Sequence, residues 1–249
     1  MIVLDNVHKA FGPKKVLQGF SLEVKEGETM VIIGYSGTGK SVAIKHIVGL
    51  LHPDQGTVFV DGQEVPALPR CDLYELRARI GYVFQFAALF DSMNIGENVA
   101  MGLRKRGNMT EQQIRDRVAE VLDLVDLPNV ESKFPAELSG GMRKRVGLAR
   151  AIALRPSYIL YDEPTTGLDP VTSAVIDNLM VRMRDRLGVT SIVITHDMKS
   201  AFRVGTRIAM LYEGRVRQVG TVDEIRHSRD EVVRQFVEGR ADLDDAAGV

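Results

Sequence analysis

The stretch Gly34-Tyr35-Ser36-Gly37-Thr38-Gly39-Lys40-Ser41 decides the fold of this chain of 249 residues. It fits the pattern G-x-x-x-x-G-K-[S/T] and lies between an apolar run predicted as a strand, Thr29–Ile33, and an apolar helix predicted from about Gly39 to Leu51. Glycines let the backbone curl so that successive N–H groups face phosphate oxygens, and the positive end of the following helix adds to the attraction. The pattern therefore predicts a phosphate-binding loop, in which Lys40 reaches the β- and γ-phosphates and the Ser41 hydroxyl binds Mg²⁺.

A dinucleotide-binding motif is an alternative interpretation of the same glycines. Gly37-Thr38-Gly39 could open the pattern G-x-G-x-x-G, but position 42 is valine, and a lysine after the glycines has no role in that motif. We therefore reject it. A glycine-rich turn without a ligand is disfavoured because the strand before the loop and the helix after it are both present in the sequence.

The composition narrows the class of protein. With 45% hydrophobic and 26% charged residues, the chain resembles an ordinary globular protein. Its 32 lysines and arginines nearly balance its 33 aspartates and glutamates, so no strong positive field would attract nucleic acid. Cys71 is the one cysteine, which fits a reducing compartment, and no run approaches the roughly 18 apolar residues of a membrane span. We expect a cytoplasmic chain without a nucleic-acid partner.

Strands and helices alternate over most of the chain, which favours an α/β fold with a mainly parallel sheet. The first sixty residues instead indicate hairpins, and the middle, from Ile95 to Arg155, has a helical pattern. In that middle part, Thr110 and Gln113 form a capping-box signature. The predicted strands are Ile2–Val7, Val16–Val24, Thr29–Ile33, Thr57–Gly62, Gly81–Phe84, Tyr158–Tyr161, Thr190–Thr195, Arg207–Tyr212 and Arg215–Val219, and a long helix is predicted over Val171–Leu187.

Two carboxylates follow the apolar run Tyr158–Tyr161. Alternation along a strand sends Asp162 and Glu163 in different directions, so the two side chains can serve different tasks. An enzyme with a phosphate-binding loop needs one acid to hold hydrated Mg²⁺, and a second acid can polarise the attacking water. We assign Asp162 to the metal and Glu163 to the water.

A second helix start suited to phosphate lies at Leu138-Ser139-Gly140-Gly141-Met142. Ser139 is a natural N-cap, and the glycines would expose backbone donors at the helix N-terminus. One phosphate-binding loop has no evident use for both sites. The basic run that follows, Arg143-Lys144-Arg145, is interpreted as a solvated helix face, with contact to a partner's nucleotide region as the alternative.

These motifs, in this order, resemble the ATP-binding-cassette (ABC) family over nearly the whole chain. The family's signature segment is LSGG, usually followed by glutamine where this chain has Met142. In that family the segment acts on ATP bound to a partner subunit. The resemblance therefore implies that Ser139, Gly140 and Gly141 contact the nucleotide of a second copy.

Four further residues match functional positions of the family. Gln85 matches the glutamine that touches Mg²⁺ or the attacking water, and Asp169, in Thr166-Gly167-Leu168-Asp169, matches the loop that crosses the dimer interface. His196 matches the histidine that contacts the γ-phosphate, and Phe11 stands where an aromatic ring stacks on adenine. The resemblance implies that these residues and loop 34–41 act on ATP and Mg²⁺.

The resemblance also implies an architecture. It is a P-loop NTPase fold with a RecA-like α/β core, an N-terminal antiparallel β subdomain and an inserted α-helical subdomain at about residues 90–155. We expect one ABC ATPase domain over residues 1–238 and an acidic, mobile tail over 239–249. Because the two phosphate sites lie on different faces in this family, two copies must pair to complete two equivalent sites.

Residues 84–100 and the signature methionine resemble a particular subfamily, the ATPase of Mla-type and Mce-associated phospholipid transporters. This implies a homodimer with ABC permease subunits, a Mce-domain lipid-binding protein and, in some systems, a STAS-domain subunit. The chain would then be peripheral on the cytoplasmic face of the inner membrane. The alternatives are an ABC transporter for amino acids, ions or drugs and, with less support, a non-transport ABC ATPase.

By the same resemblance, a permease helix would dock on residues 85–99. Phe86, Leu89 and Phe90 supply an apolar surface there. The alternative for Phe90 is a position in the core.

Overall fold

The computed structural model describes residues 1–240, and the chain divides into two compact units. Among the described residues, the first unit comprises Met1–Ala67 and residues 194–240, and the second comprises Leu68–Val193. The acidic tail expected over 239–249 lies outside the described residues, except for its first two positions. None of the helices in residues 1–240 is long and apolar enough to cross a membrane.

Strands and helices alternate through the described part of the chain. The strands are β1 (Ile2–Phe11), β2 (Lys14–Val24), β3 (Thr29–Ile33), β4 (Gln55–Val60), β5 (Gln63–Glu64), β6 (Ile80–Val83), β7 (Tyr158–Asp162), β8 (Thr190–Ile194), β9 (Arg207–Tyr212) and β10 (Arg215–Thr221). The helices are α1 (Lys40–Ile47), α2 (Arg70–Ala78), α3 (Ile95–Arg106), α4 (Glu111–Leu124), α5 (Gly140–Ile152), α6 (Pro170–Leu187), α7 (Met198–Val204), α8 (Val222–Arg226) and α9 (Glu231–Glu238).

The first unit contains an antiparallel sheet with the strand order β2-β1-β4-β5, which confirms the predicted N-terminal hairpins. Ile2, Leu4 and Val7 of β1 are fully buried. The strand continues to Phe11, beyond its predicted end at Val7, through several register shifts against β2. These irregularities interrupt the two-residue alternation of apolar residues, so the sequence pattern ends before the strand does.

In the same unit, β10, β9 and β3 are neighbours in that order, and β3 runs parallel to β9. All five residues of β3 are buried, which is typical of a strand in a parallel sheet with both faces covered. The strand leads through residues 34–39 into α1. The phosphate loop therefore leaves the end of a rigid, buried strand.

The second unit contains β8, β7 and β6 in that order, with β6 parallel to β7, and it carries the helices from α2 to α6. The predicted capping box of α4 is present, because Thr110 Oγ1 accepts from the Gln113 N–H at 3.3 Å and the Gln113 side chain accepts from the Thr110 N–H at 2.8 Å. Parallel strands alternating with helices confirm the predicted α/β class.

Candidate active site

The phosphate loop, residues 34–41, connects β3 to α1 in the first unit. The Lys40 side chain is 7% exposed, and its ammonium group donates to the carbonyl oxygens of Gly34 at 2.7 Å and Tyr35 at 2.9 Å. The Thr38 hydroxyl donates to the Tyr35 carbonyl at 2.9 Å. The loop is thus folded around a fixed cation, next to the N-terminus of α1, whose first N–H groups have no partner within the helix.

Two glycines of this loop occupy positions where a side chain would collide. Gly34 has a φ of 146°, and a Cβ atom there would overlap the carbonyl oxygen of Leu211. Gly39 has a φ of 103°, and a Cβ atom there would lie 2.7 Å from Val16 Cγ1. The fold of the loop therefore requires glycine at both positions.

The first unit also holds Phe11 and His196. Phe11 is the last residue of β1; its side chain is 47% exposed, and the Lys9 ammonium lies 5.8 Å from the centre of its ring. This exposure leaves a ring face accessible for stacking. His196 is exposed and directly precedes Asp197, the N-cap of α7.

In the second unit, Asp162 is the last residue of β7, and the Tyr82 hydroxyl donates to its carboxylate at 3.1 Å. Burial and the neighbouring Asp162 charge raise the pKa of Tyr82 above its ordinary value. The tyrosine therefore stays protonated and keeps donating to Asp162. This partner was not predicted from the sequence, although Tyr82 lies within the predicted strand Gly81–Phe84.

Glu163, the predicted water-activating residue, has a φ of 51°, in the left-handed region that non-glycine residues rarely adopt. Its carboxylate accepts a hydrogen bond from the Thr166 hydroxyl at 3.0 Å, and its carbonyl accepts one from the Thr166 N–H at 3.3 Å. Backbone strain of this kind persists where the surroundings enforce it, often at functional sites. Here a tight turn after β7 fixes the direction of the carboxylate.

The signature segment begins α5 as predicted, because Ser139 Oγ accepts from the Met142 N–H at 3.2 Å and caps the helix. A Cβ atom on Gly141 would lie 2.5 Å from Thr172 Cγ2, so glycine is required there for close approach to α6. Asp169 accepts from the Thr172 N–H at 3.0 Å and from the Thr172 hydroxyl, and it serves as the N-cap of α6. The hydrogen bonds from Thr172 lower the pKa of Asp169. Thr172 therefore connects two predicted site positions.

The Gln85 loop, residues 84–93, follows β6 and is held by two cations of α5. Lys144 donates to the Gln85 carbonyl, and Arg150 donates to the carbonyls of Ala87 and Ala88 at 2.6 Å each. Burial lowers the pKa of both Lys144 and Arg150. These two cations, which the sequence did not assign to the site, join the loop to the signature helix.

The interpretation of Arg143-Lys144-Arg145 as a solvated face is therefore wrong for its central residue. Lys144 is buried, because at helical spacing it shares a face with the buried residues Gly141, Gly147 and Leu148. The flanking arginines also donate to backbone carbonyls, Arg143 to that of Leu138 at 3.1 Å and Arg145 to that of Asp126 at 2.8 Å. The same helical spacing was the sequence signal that could have identified Lys144 as buried.

The donors in these segments suit a nucleoside triphosphate with Mg²⁺. Lys40 and the N-terminus of α1 supply positive charge, while the Ser41 hydroxyl and the Asp162 carboxylate are the oxygen donors that Mg²⁺ prefers. Within residues 1–240, no group of three or more His, Cys, Asp or Glu side chains is placed to hold a metal.

The fold and these motifs define a P-loop ATPase. Residues 17–166 match the model of the ABC transporter family, and the chain belongs to this family. It is accordingly an ATP-binding, ATP-hydrolysing enzyme of the ABC type, as the sequence predicted.

Three relatives that are named for the transport of different cargoes are similar over nearly the whole chain. The probable ribonucleotide transport ATP-binding protein mkl of Mycobacterium leprae is 41% identical, over 96% of this chain and 69% of the relative. The methionine import ATP-binding protein MetN of Caulobacter vibrioides is also 41% identical, over 100% of this chain and 76% of the relative. The intermembrane phospholipid transport system ATP-binding protein MlaF of Haemophilus influenzae is 38% identical, over 97% of this chain and 92% of the relative.

A solved structure confirms the predicted fold family. The dimeric, post-hydrolysis state of the ATP-binding cassette MJ0796, bound to ADP and Pi, matches with a TM-score of 0.82 and 35% identity. The match covers 89% of this chain and 99% of that chain.

Proposed function

We propose that this chain is the ATP-hydrolysing motor subunit of a phospholipid transporter at the inner membrane. The proposal that the cargo is phospholipid rests on the similarity to MlaF, which extends over 97% of this chain and 92% of that relative. The signature methionine and residues 84–100 support the same subfamily. The chain acts on the cytoplasmic face, attached to permease subunits.

In the proposed mechanism of hydrolysis, Asp162, Glu163 and Lys40 have different roles. Lys40 binds the β- and γ-phosphates. Glu163 accepts a proton from the attacking water. The water oxygen forms a bond to the γ-phosphorus as the bond between that phosphorus and the β–γ bridging oxygen breaks. The φ of Glu163 is 51°, and the hydrogen bond from the Thr166 hydroxyl at 3.0 Å restrains its carboxylate. Gln85 and His196 orient the water and the γ-phosphate, and Phe11 stacks on adenine.

Three oxygen-bearing side chains, those of Ser41, Asp162 and Gln85, would hold Mg²⁺. When bound, the ion neutralises charge on the β- and γ-phosphates. The Tyr82 hydroxyl fixes one oxygen of Asp162 at 3.1 Å and orients the carboxylate for this role.

Two copies of the chain act as a pair. Ser139, Gly140 and Gly141 of one copy contact the nucleotide held by the phosphate loop of the other, and Asp169 lies at the junction between the copies. The exposed positions of Ser139 and Gly140 support this role, because the Ser139 cap fixes the N-terminus of α5 and Gly140 has no side chain to cover it. The dimeric MJ0796 structure supports the same arrangement.

The Gln85 loop receives the permease. Phe86 is 83% exposed and Phe90 is 50% exposed, so Phe90 is not the core residue that the alternative required. The Asn98 side chain accepts from the Phe90 N–H at 2.8 Å and donates to the Phe90 carbonyl at 3.1 Å, so the backbone is fixed while the rings face outward. A short permease helix could anchor its apolar side chains there. A Mce-domain protein and, in some systems, a STAS-domain subunit complete the proposed assembly.

A transporter for another cargo is the second candidate, because the relatives mkl and MetN are named for ribonucleotide and methionine transport. The ATPase and dimer proposals are the same for both candidates. They differ in the permease that the Gln85 loop binds.

Reconstitution with a permease separates the candidates. The chain is expected to co-purify with an Mla-type permease and to change its ATPase rate in phospholipid vesicles, but not with a methionine permease. Phe90→Glu is expected to abolish that response while basal hydrolysis stays within about twofold. Leu187→Glu changes another exposed apolar side chain, at the end of α6, and is the matched control. A response only to the methionine permease would replace the lipid proposal.

A further inference from the structure

The signature helix α5 contacts the Gln85 loop through two cations, the buried Lys144 and the half-buried Arg150. Lys144 donates to the Gln85 carbonyl, and six residues further along the helix Arg150 donates to the carbonyls of Ala87 and Ala88. Ala87 and Ala88 have φ values of 60° and 49°, which L-residues rarely adopt. The two cations therefore hold the loop in a backbone conformation that it would not favour alone.

The same lysine reaches the residue proposed to activate water. Lys144 Nζ lies 3.4 Å from the carbonyl oxygen of Glu163, so a single ammonium group donates to the Gln85 loop and to the strained turn after β7. Glu163 is separated from Gln85 by 78 positions in the sequence, and no chain continuity couples them. The ammonium group supplies a direct connection.

This placement is costly for a structural lysine. The side chain is 7% exposed, and its hydrogen-bond partners are the neutral carbonyl oxygens of Gln85 and Glu163, while the negative charge of Glu163 offsets part of the cost of burial. Burying a charge with neutral partners is unfavourable, and an apolar side chain of the same length would fill the space without that cost. A cation at this point therefore indicates a need for directed donors.

We propose that Lys144 is a positioning residue for hydrolysis, which fixes the backbone of Glu163 relative to the Gln85 loop. The inference rests on the proposed roles of Glu163 and Gln85. A displacement of the Gln85 loop, such as permease binding would produce, is carried by Lys144 to the backbone that aims the Glu163 carboxylate. Misplacement of a catalytic group by about 1 Å can lower the rate by about 100-fold, so one hydrogen-bonded connection is sufficient to control turnover.

Steady-state ATPase measurements on the full chain test this role. Lys144→Met removes the ammonium group and keeps an unbranched stem; kcat is expected to fall at least about tenfold while KM for ATP stays within about twofold, because nucleotide binding depends on residues 34–41. Lys144→Arg restores a cation and is expected to recover at least about a third of the wild-type kcat. If Lys144→Met does not fold, Lys144→Gln is measured instead, and the same fall in kcat with a nearly unchanged KM for ATP is expected.

Arg145→Met is the matched control, because Arg145 lies on the same helix and also donates to backbone carbonyls, those of Val125 and Asp126. It is expected to lower Tm by a similar amount and to keep kcat within about twofold of wild type. A wild-type kcat in Lys144→Met, an equal loss in Arg145→Met, or no recovery in Lys144→Arg would overturn the inference. Glu163→Gln separates it from the proposed function: if Glu163→Gln is inactive and Lys144→Met is normal, only the inference fails, whereas a normal rate in Glu163→Gln removes the proposed water activation itself.

Discussion

Lys40 and Lys144 are both almost completely buried, and in both cases backbone carbonyl oxygens accept hydrogen bonds from the ammonium group. Carbonyl oxygens carry only partial charge, so hydrogen bonds to them orient an ammonium group without neutralising its positive charge. At Lys40 that charge serves to attract phosphate. At Lys144 the ammonium group donates to the backbone of two loops. The same kind of buried ammonium group therefore stabilises loop structure at Lys144 and binds a ligand at Lys40.

Lys40→Ala tests the first of these roles. Removing the cation leaves the β- and γ-phosphate oxygens without their fixed charge partner, so ATP hydrolysis is expected to fall by about 100-fold or more. Titration with a fluorescent ATP analogue should show weakened binding. Lys45→Ala, on the same helix and outside the phosphate loop, is expected to retain wild-type binding and hydrolysis. Normal activity in Lys40→Ala would refute the assignment of the loop.

Glu163→Gln tests the proposed water activation. The amide keeps the size of the side chain and an oxygen that can accept from Thr166, so the turn after β7 should persist. Loss of the base is expected to lower kcat by about 100-fold or more while MgATP still binds. The variant should therefore accumulate as an ATP-bound dimer that size-exclusion chromatography detects.

Asp162→Asn is the matched control for that experiment, because it changes the neighbouring acid in the same way. It is expected to raise the Mg²⁺ concentration needed for half-maximal activity, which a metal titration measures. If Glu163→Gln hydrolyses ATP normally, another residue orients the water.

The difference between these residues also explains what the sequence could predict. Lys40, Asp162 and Glu163 each belong to a short local pattern with a strand beside it, so their chemistry can be proposed before the fold is known. Lys144 and Tyr82 bind partners 59 and 80 positions away. Their roles depend on which segments the tertiary structure brings together, and local spacing does not contain that information.

At the scale of elements, helix ends were more predictable than helices themselves. The caps at Ser139 and Thr110 follow from side chains that bond to a backbone N–H three residues later, which is a local interaction. No helix was predicted at α2, in which only Leu76 is buried, because one buried residue makes no periodic apolar pattern.

Ser139→Arg tests α5 as a contact to a second copy of the chain. A bulky cation at the start of this helix would block the partner's γ-phosphate but leave its own phosphate loop intact. ATP binding is expected to stay near wild type while hydrolysis is lost. Thr110→Arg makes the same change at the N-cap of α4 and controls for the loss of a cap, worth about 1 kcal/mol in the free energy of unfolding. Equal activity in the two variants would show that the Ser139 helix end does not contact ATP.

At the scale of the whole molecule, the predicted site residues are divided between the two units. The phosphate loop, Phe11 and His196 belong to the first unit, whereas Gln85, Glu163 and the signature segment belong to the second. The order of these motifs along the chain was sufficient to identify the family. It was not sufficient to fix the cargo, because relatives with this motor are named for the transport of different cargoes.

The proposed dimer predicts that two inactive variants restore each other. Lys40→Ala lacks a working phosphate loop and keeps its signature segment, whereas Ser139→Arg has the reverse defect, so a mixed pair contains one complete site. With random pairing of equal amounts, half of the dimers are mixed and each has one of two sites, so the ATPase rate is expected to recover to about a quarter of wild type. The specific activity of the wild-type chain should also rise with protein concentration as copies associate. Mixing two batches of Lys40→Ala is the control and should recover nothing. If the mixture of variants stays inactive while the wild-type rate is strictly proportional to concentration, each chain carries a complete site by itself.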